Sequence, residues 1–130
     1  MSKKPHGELT TRMLAMPSDT NPAGDIFGGW LLAQMDIAGN LVSKRVAKGR
    51  TVTIAVDSMS FHKPVFVGDT IAFYTQVKKI GRTSITINVE AWVTRQYSTK
   101  MIRVTEGNFT FVAVDDNREP REIRKDDDDD

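Results

Sequence analysis

The chain reads as an α+β fold in which one long helix is wrapped by a curved antiparallel sheet of five to six strands. Three observations predict it. Only one segment, Ile26 to Lys48, has the length and apolar content of a buried helix. Four strand-like runs follow it in series, joined by short turns, and such strands pair mostly as antiparallel neighbours. One helix covers that many strands only if the sheet curls around it. The 130 residues suit one compact domain, with residues 1–8 a flexible N-terminus, 9–120 the folded body and 121–130 an acidic, disordered tail.

Taken in order, Leu9 to Met16 is a first strand, stopped by Pro17. The run Ser18-Asp19-Thr20-Asn21-Pro22-Ala23-Gly24-Asp25 is dense in turn formers and reads as a loop. Asp25 then suits the N-cap of the helix. In the helix, Leu31, Met35, Ala38, Val42 and Val46 form one apolar stripe at about 100° per residue, while Trp30, Ile37 and Leu41 are apolar elsewhere, which predicts burial on most sides. Lys44, Arg45 and Lys48 complement the negative helix end, and Gly49 suits the position just past it. Thr51 to Phe61 is rich in β-branched residues. Gly68-Asp69 sets off the next run, Thr70 to Ile80. Gly81-Arg82-Thr83 makes a hairpin into Ser84 to Thr94, where Ile85, Ile87, Val89, Ala91 and Val93 alternate with Thr86, Asn88, Glu90, Trp92 and Thr94. Met101 to Val114 is the last run, and Gly107 predicts a bulge within it.

Composition excludes several chemistries. There is no cysteine, so disulfides, thiolate catalysis and cysteine-based zinc sites are ruled out. No apolar run approaches the ~20 residues of a membrane span and no secretory signal follows the basic start, so a cytoplasmic protein without membrane association is expected. Net charge is +1, but five of the 17 acidic residues are Asp126 to Asp130, so residues 1–125 carry about six more basic than acidic groups. A basic body attracts phosphorylated ligands. Nucleic acid is not expected as a partner, because no basic run is interleaved with exposed aromatics. His6 and His62 stand far apart, and neither metal-binding nor serine-hydrolase motifs occur.

Asp36 is the anomaly. It lies mid-helix, beyond the reach of either cap, where aspartate is a poor helix former. Gly29, Leu32, Gly39, Asn40 and Ser43 share its flank, and most are small, leaving room for a ligand or a second helix. An exposed or subunit-bonded aspartate is the competing reading. Gly28-Gly29 in the first turn costs about 1 kcal/mol each against alanine. What it offers is access to aligned backbone N–H donors, a workable oxyanion site. Close packing against a strand or twin helix explains the pair equally well. Lys63 and Arg82 with Ser84 are basic or hydroxyl-bearing positions at strand ends that suit a phosphorylated ligand.

Ala15-Met16-Pro17-Ser18-Asp19-Thr20-Asn21, Gly24 to Trp30, and Gln34-Met35-Asp36 resemble the bacterial YciA-type acyl-CoA thioesterases. Lys63-Pro64, Val67-Gly68-Asp69, the 81–84 hairpin and Phe109 to Asp115 extend the resemblance over about residues 9–120. It implies a hotdog fold, with subunits paired through sheets and helices, active sites between subunits, and a trimer of dimers. By the same resemblance Asp36 is the catalytic carboxylate and Gly28 and Gly29 supply the donors. Asn21, Gly24, Phe27, Lys63, Arg82 and Ser84 then contact the substrate. Acyl-CoA is the substrate, CoA arrives with it, and no separate cofactor or metal is called for. The Gln96 to Lys100 connection is shorter than is common in the family, and Glu106-Gly107-Asn108 departs from its usual pattern. Two alternatives stand beside it: an acyl-CoA hydratase or dehydratase, which pairs an acid with a histidine and is disfavoured because neither His6 nor His62 is expected near the helix, and a non-catalytic acyl-CoA or nucleotide sensor.

Overall fold

A computed structural model describes residues 4–123; the Asp126–Asp130 run lies outside the described residues. Seven elements follow in order: β1 (Glu8–Leu14), a 3-10 turn (Pro17–Asp19), α1 (Gly28–Ala47), β2 (Thr51–Phe61), β3 (Thr70–Ile80), β4 (Ser84–Thr94) and β5 (Met101–Ala113). The strands form one antiparallel sheet in the order β1-β3-β4-β5-β2. This is the hotdog arrangement, with α1 lying across the sheet. The order makes β1 and β2 the two edges, so β2 meets the sheet only through β5.

The strand alternation decides which face packs on the helix. Ile85, Ile87, Val89, Ala91 and Val93 of β4 are fully buried, and they join Ile71 and Phe73 of β3 and Phe109, Phe111 and Ala113 of β5. Leu31, Met35, Ala38 and Val42 of α1 complete this core, and Val46 packs at its margin. Burying one such side chain contributes roughly 1.5–3 kcal/mol. Gly39 lets the helix approach closely. A Cβ there would stand 2.9 Å from Cζ of Phe111.

Four expectations change. The helix begins at Gly28 with Phe27 as its N-cap, not at Ile26 with Asp25. The reason is local: Ile26 is held in an extended bridge with Thr20, and its N–H donates to the Val65 carbonyl at 3.1 Å. The left-handed residue after α1 is Lys48 (φ 56°, ψ 44°) rather than Gly49. Gly49 instead leaves space for Arg121, whose Nη2 donates to the Ala47 carbonyl at 2.8 Å and so caps the helix. Gly107 is no bulge toward β4, where it pairs in register with Val89. The irregularity faces it on β2 at Ser58 (φ 52°) and Met59, and a Cβ on Gly107 would lie 2.4 Å from the Met59 sulfur. The helix is not buried all round, since Leu32 and Ile37 are exposed.

The folded body also reaches past its expected limits. Ile123 is buried and its N–H donates to the Arg82 carbonyl at 2.9 Å. His6 lies over the outer face of the sheet, where its Nδ1 is 2.7 Å from Oε2 of Glu90.

Candidate active site

The flank of α1 carrying Asp36 lies against β2, and three side chains tie them together. Thr53 Oγ1 donates to Asp36 Oδ1 at 2.6 Å. One turn on, Asn40 Nδ2 donates to Thr51 Oγ1 at 2.9 Å, and Ser43 Oγ is 2.6 Å from the same hydroxyl. Strand alternation puts Thr51 and Thr53 on the face that meets the helix. Thr53 was not singled out from sequence; its pairing two residues from Thr51 was the available signal.

Asp36 is half-buried, and a cavity of about 280 Å³ opens beside it. Gly29, Leu32 and Ala33 form the helix side, and Val56 and Phe109 the sheet side. Of the small flank residues, Gly39 is spoken for by Phe111, whereas Gly29 is not. A Cβ on Gly29 would meet nothing within 4 Å, and one on Gly28 would only touch the Phe61 ring at an ordinary 3.6 Å. Packing within the chain therefore does not require the double glycine. The first helical bonds run from Trp30 and Leu31 to the Phe27 carbonyl at 3.1 and 3.3 Å. The Gly28 and Gly29 amides precede them, at the positive end of the helix.

A second cavity, about 380 Å³, lies at this helix start. Asn21, Gly28, Phe61, His62 and Lys63 are on its wall. Asn21 also folds its own loop: its Oδ1 accepts from the N–H groups of Ala23 and Asp25 at 2.9 and 3.1 Å. Gly24 takes φ 92° at the tip of that loop, a conformation glycine adopts freely. Phe27 is exposed next to the cavity. His62, expected to stand apart from the helix, lines this cavity, with Nε2 3.4 Å from Glu106 Oε2. The wall itself is braced. Arg95 pairs with buried Asp69, donates to the Pro64 carbonyl at 3.2 Å and stacks over the Phe66 ring.

The structure does not bring all the predicted residues together. Arg82 and Ser84 sit at the far end of β3, an 11-residue strand spanning about 35 Å. Arg82 is exposed there, 3.6 Å from Glu122. Eight positions also separate Gly28 from Asp36, about 12 Å along the helix axis. One thioester cannot touch both groups in a single chain. Among the described residues no group of three or more His, Cys, Asp or Glu is placed to hold a metal, and no helix is long and apolar enough to cross a membrane.

Comparison with known proteins gives a consistent picture. The thioesterase superfamily profile matches residues 23–99. The acyl-CoA thioester hydrolase YciA of Salmonella typhimurium is 48% identical over 126 residues, covering 95% of each chain. The crystal structure of a hexameric thioesterase from Yersinia pestis superposes with a TM-score of 0.89 at 53% identity, over 95% of this chain and 100% of that one. A hexameric broad specificity acyl-coenzyme A thioesterase superposes with a TM-score of 0.88 at 51% identity, over 93% of this chain and 84% of that one.

Proposed function

This chain belongs to the YciA-type acyl-CoA thioester hydrolases of the thioesterase superfamily, and we propose that it hydrolyses its substrate with Asp36 of one subunit and the helix-start amides of another. The products are a free carboxylic acid and CoA. The observation that carries the reading is Asp36 itself: a half-buried carboxylate, oriented by Thr53 and open to an apolar cavity.

In this mechanism the thioester carbonyl points at the Gly28 and Gly29 amides, which stabilise the negative charge developing on its oxygen. Asp36 acts on the opposite side as general base for water, or attacks the carbonyl carbon and expels the CoA thiolate, giving a mixed anhydride that water then cleaves to the free acid and the Asp36 carboxylate. The 12 Å between these groups within one chain supports a site built from two. Antiparallel helices crossing near Leu32 would set each Asp36 opposite a partner's Gly28. The exposed edge strand β2, with Val52, Ile54 and Val56 uncovered, suits a sheet-to-sheet pairing of this kind. The relatives' hexamers suit three such dimers together.

The same two-fold arrangement turns the partner's 81–84 hairpin toward the helix-start end. Lys63 of one subunit, with Arg82 and Ser84 of another, would then bind the CoA phosphates, and Asn21, Gly24 and Phe27 would shape the entrance. CoA arrives with the substrate and no further cofactor is needed. We place the activity in the cytoplasm, with neither nucleic acid nor membrane as partner.

Replacing Asp36 with Asn tests the assignment. Thiol release from acyl-CoA should fall by roughly 10²–10⁴-fold, with CoA still bound. Full turnover by a folded Asp36→Asn protein would refute it. Under single turnover in ¹⁸O-water, label enters the enzyme carboxylate only by the anhydride route.

A further inference from the structure

We propose that the Asp126–Asp130 run docks along an open edge of β3 and competes there with the CoA phosphates for Arg82, an electrostatic brake on substrate binding. The effect on catalysis rests on the reading of Arg82 as a phosphate ligand; the docking does not.

β3 is covered along only part of its length. β1 pairs with Thr70 to Thr75. The segment before β1 leaves the edge at Gly7 (φ 87°), where a Cβ would stand 2.1 Å from the Thr75 carbonyl oxygen. Gln76, Val77, Lys78, Lys79 and Ile80 then continue the strand with β4 on one side and no strand on the other, and all five are exposed. A bare edge of this kind accepts an extended chain. Beside it runs a groove of about 270 Å³, with Val42, Arg45 and Val46 of the helix facing Gln76 and Val77.

Charge gives this edge its preference. Arg45, Lys78 and Lys79 form no ion pair among the described residues, and Glu8 is the one carboxylate among the groove's described wall residues. Arg82 continues the basic row at the turn and stays 82% exposed beside Glu122. Lysines on a bare edge also keep other copies of the chain from pairing there. What makes the row a docking surface is the direction of the C-terminal segment.

That segment crosses the sheet toward the edge. The Arg121 N–H donates to the Ala113 carbonyl on β5, and two residues on the Ile123 N–H donates to the Arg82 carbonyl at the β3–β4 turn, each at 2.9 Å. One further strand spacing, about 4.8 Å, is within the reach of Arg124 and Lys125 at about 3.3 Å per residue. The five aspartates are then left for the five bare residues from Ile80 back to Gln76. Glu122 is the first acid on this path, already 3.6 Å from Arg82. Aspartate is a poor strand former, so charge rather than ladder pairing holds the run, and salt weakens it. Its first carboxylates stand within about a Debye length of Arg82, roughly 8–10 Å, and oppose the positive potential that draws in CoA phosphates.

The test uses the oligomer of the whole chain and a carbodiimide, which joins a carboxylate to an amine in direct contact, followed by mass spectrometry. Peptides carrying Asp126–Asp130 should be joined to Lys78 or Lys79. A run joined only to other lysines, or to none, overturns the docking. Replacing all five aspartates with Asn should lower the KM for acyl-CoA about three- to tenfold in about 20 mM salt, with kcat unchanged, and the two proteins should converge in about 0.5 M salt. A KM that does not fall, or falls equally at both salt concentrations, overturns the brake. Arg82→Gln separates the two readings, because it should raise KM. An unraised KM removes Arg82 as a CoA ligand and the brake with it, whereas a raised KM beside missing crosslinks removes only the docking.

Discussion

Two carboxylates of this chain are held by quite different surroundings. Asp36 takes one hydroxyl bond, from Thr53, and otherwise faces a cavity. Glu90 is 2% exposed on the outer face of the sheet, accepts bonds from Trp92 Nε1 at 2.8 Å and the His6 N–H at 3.2 Å, and has Arg103 3.7 Å away. Burial alone would lift the Glu90 pKa. The bonds from Trp92 and His6, with the charge on His6, outweigh it and hold the carboxyl below its ordinary value of 4.5. A lowered carboxylate contributes stability that is complete above pH 4.5 and is lost as pH falls through its folded pKa. Denaturant unfolding of wild type and Glu90→Gln should therefore differ most near neutral pH, and the gap should close as the solution is acidified below 4.5. For Asp36, Thr53→Val should lower kcat about tenfold with little change in KM, and Thr53→Ser should restore most of it, in steady-state thiol release. Asp36 stood out in the sequence as a candidate because mid-helix aspartate is locally unfavourable. Thr53 and the Glu90 cluster were not, because their partners come from distant parts of the chain, and strand alternation reports a face without reporting what covers it.

At the scale of elements, β2, β3 and β4 have the limits their β-branched runs and turn residues predict, while β1 ends two residues early and α1 starts two residues late. Both misses flank the 15–27 loop, whose path is decided by bonds to the distant segment 65–69 that the local sequence does not display. Ala15 donates to the Asp69 carbonyl at 2.9 Å, and Ile26 bonds to Val65. That segment depends on Arg95. Arg95→Ala would leave the Asp69 carboxylate buried and unpaired, and chemical denaturation should show a loss of about 2–4 kcal/mol. Gly39 is the matching case in the helix. Alanine there gains about 1 kcal/mol of helix propensity but collides with Phe111, so Gly39→Ala should destabilise by about 1–3 kcal/mol in the same measurement. Sequence presented Gly39 as one of several small residues beside Asp36; only the packed sheet separates it, a spacer, from Gly29, which faces open space.

For the whole molecule, the fold was readable because one helix and four serial strands admit few arrangements, and the resemblance at residues 15–36 agreed with it. How the site is completed was not readable from local pattern. The separation of about 12 Å between Gly28 and Asp36, on which the proposed two-subunit site rests, follows from helix geometry once the helix limits are known. The edge strand β2 is the place to test assembly. Ile54, 59% exposed, lies at a register shift on that edge, between Thr53 and Ala55. Ile54→Glu should shift the protein to smaller species in sedimentation velocity and lower kcat/KM at least tenfold, with the far-ultraviolet circular dichroism of the fold retained.

The strand order also dictates a sequence of events at the ribosome. β2 ends at Phe61, but β5, through which it joins the sheet, begins at Met101. At about 5–20 residues per second, an apolar strand carrying Val52, Ile54 and Val56 waits for several seconds of synthesis before its neighbour exists. The Arg121 cap of α1 emerges later still. The nascent chain thus spends much of its emergence holding a helix without its end and a strand without its sheet, and native pairing of both halves must follow the completion of β5.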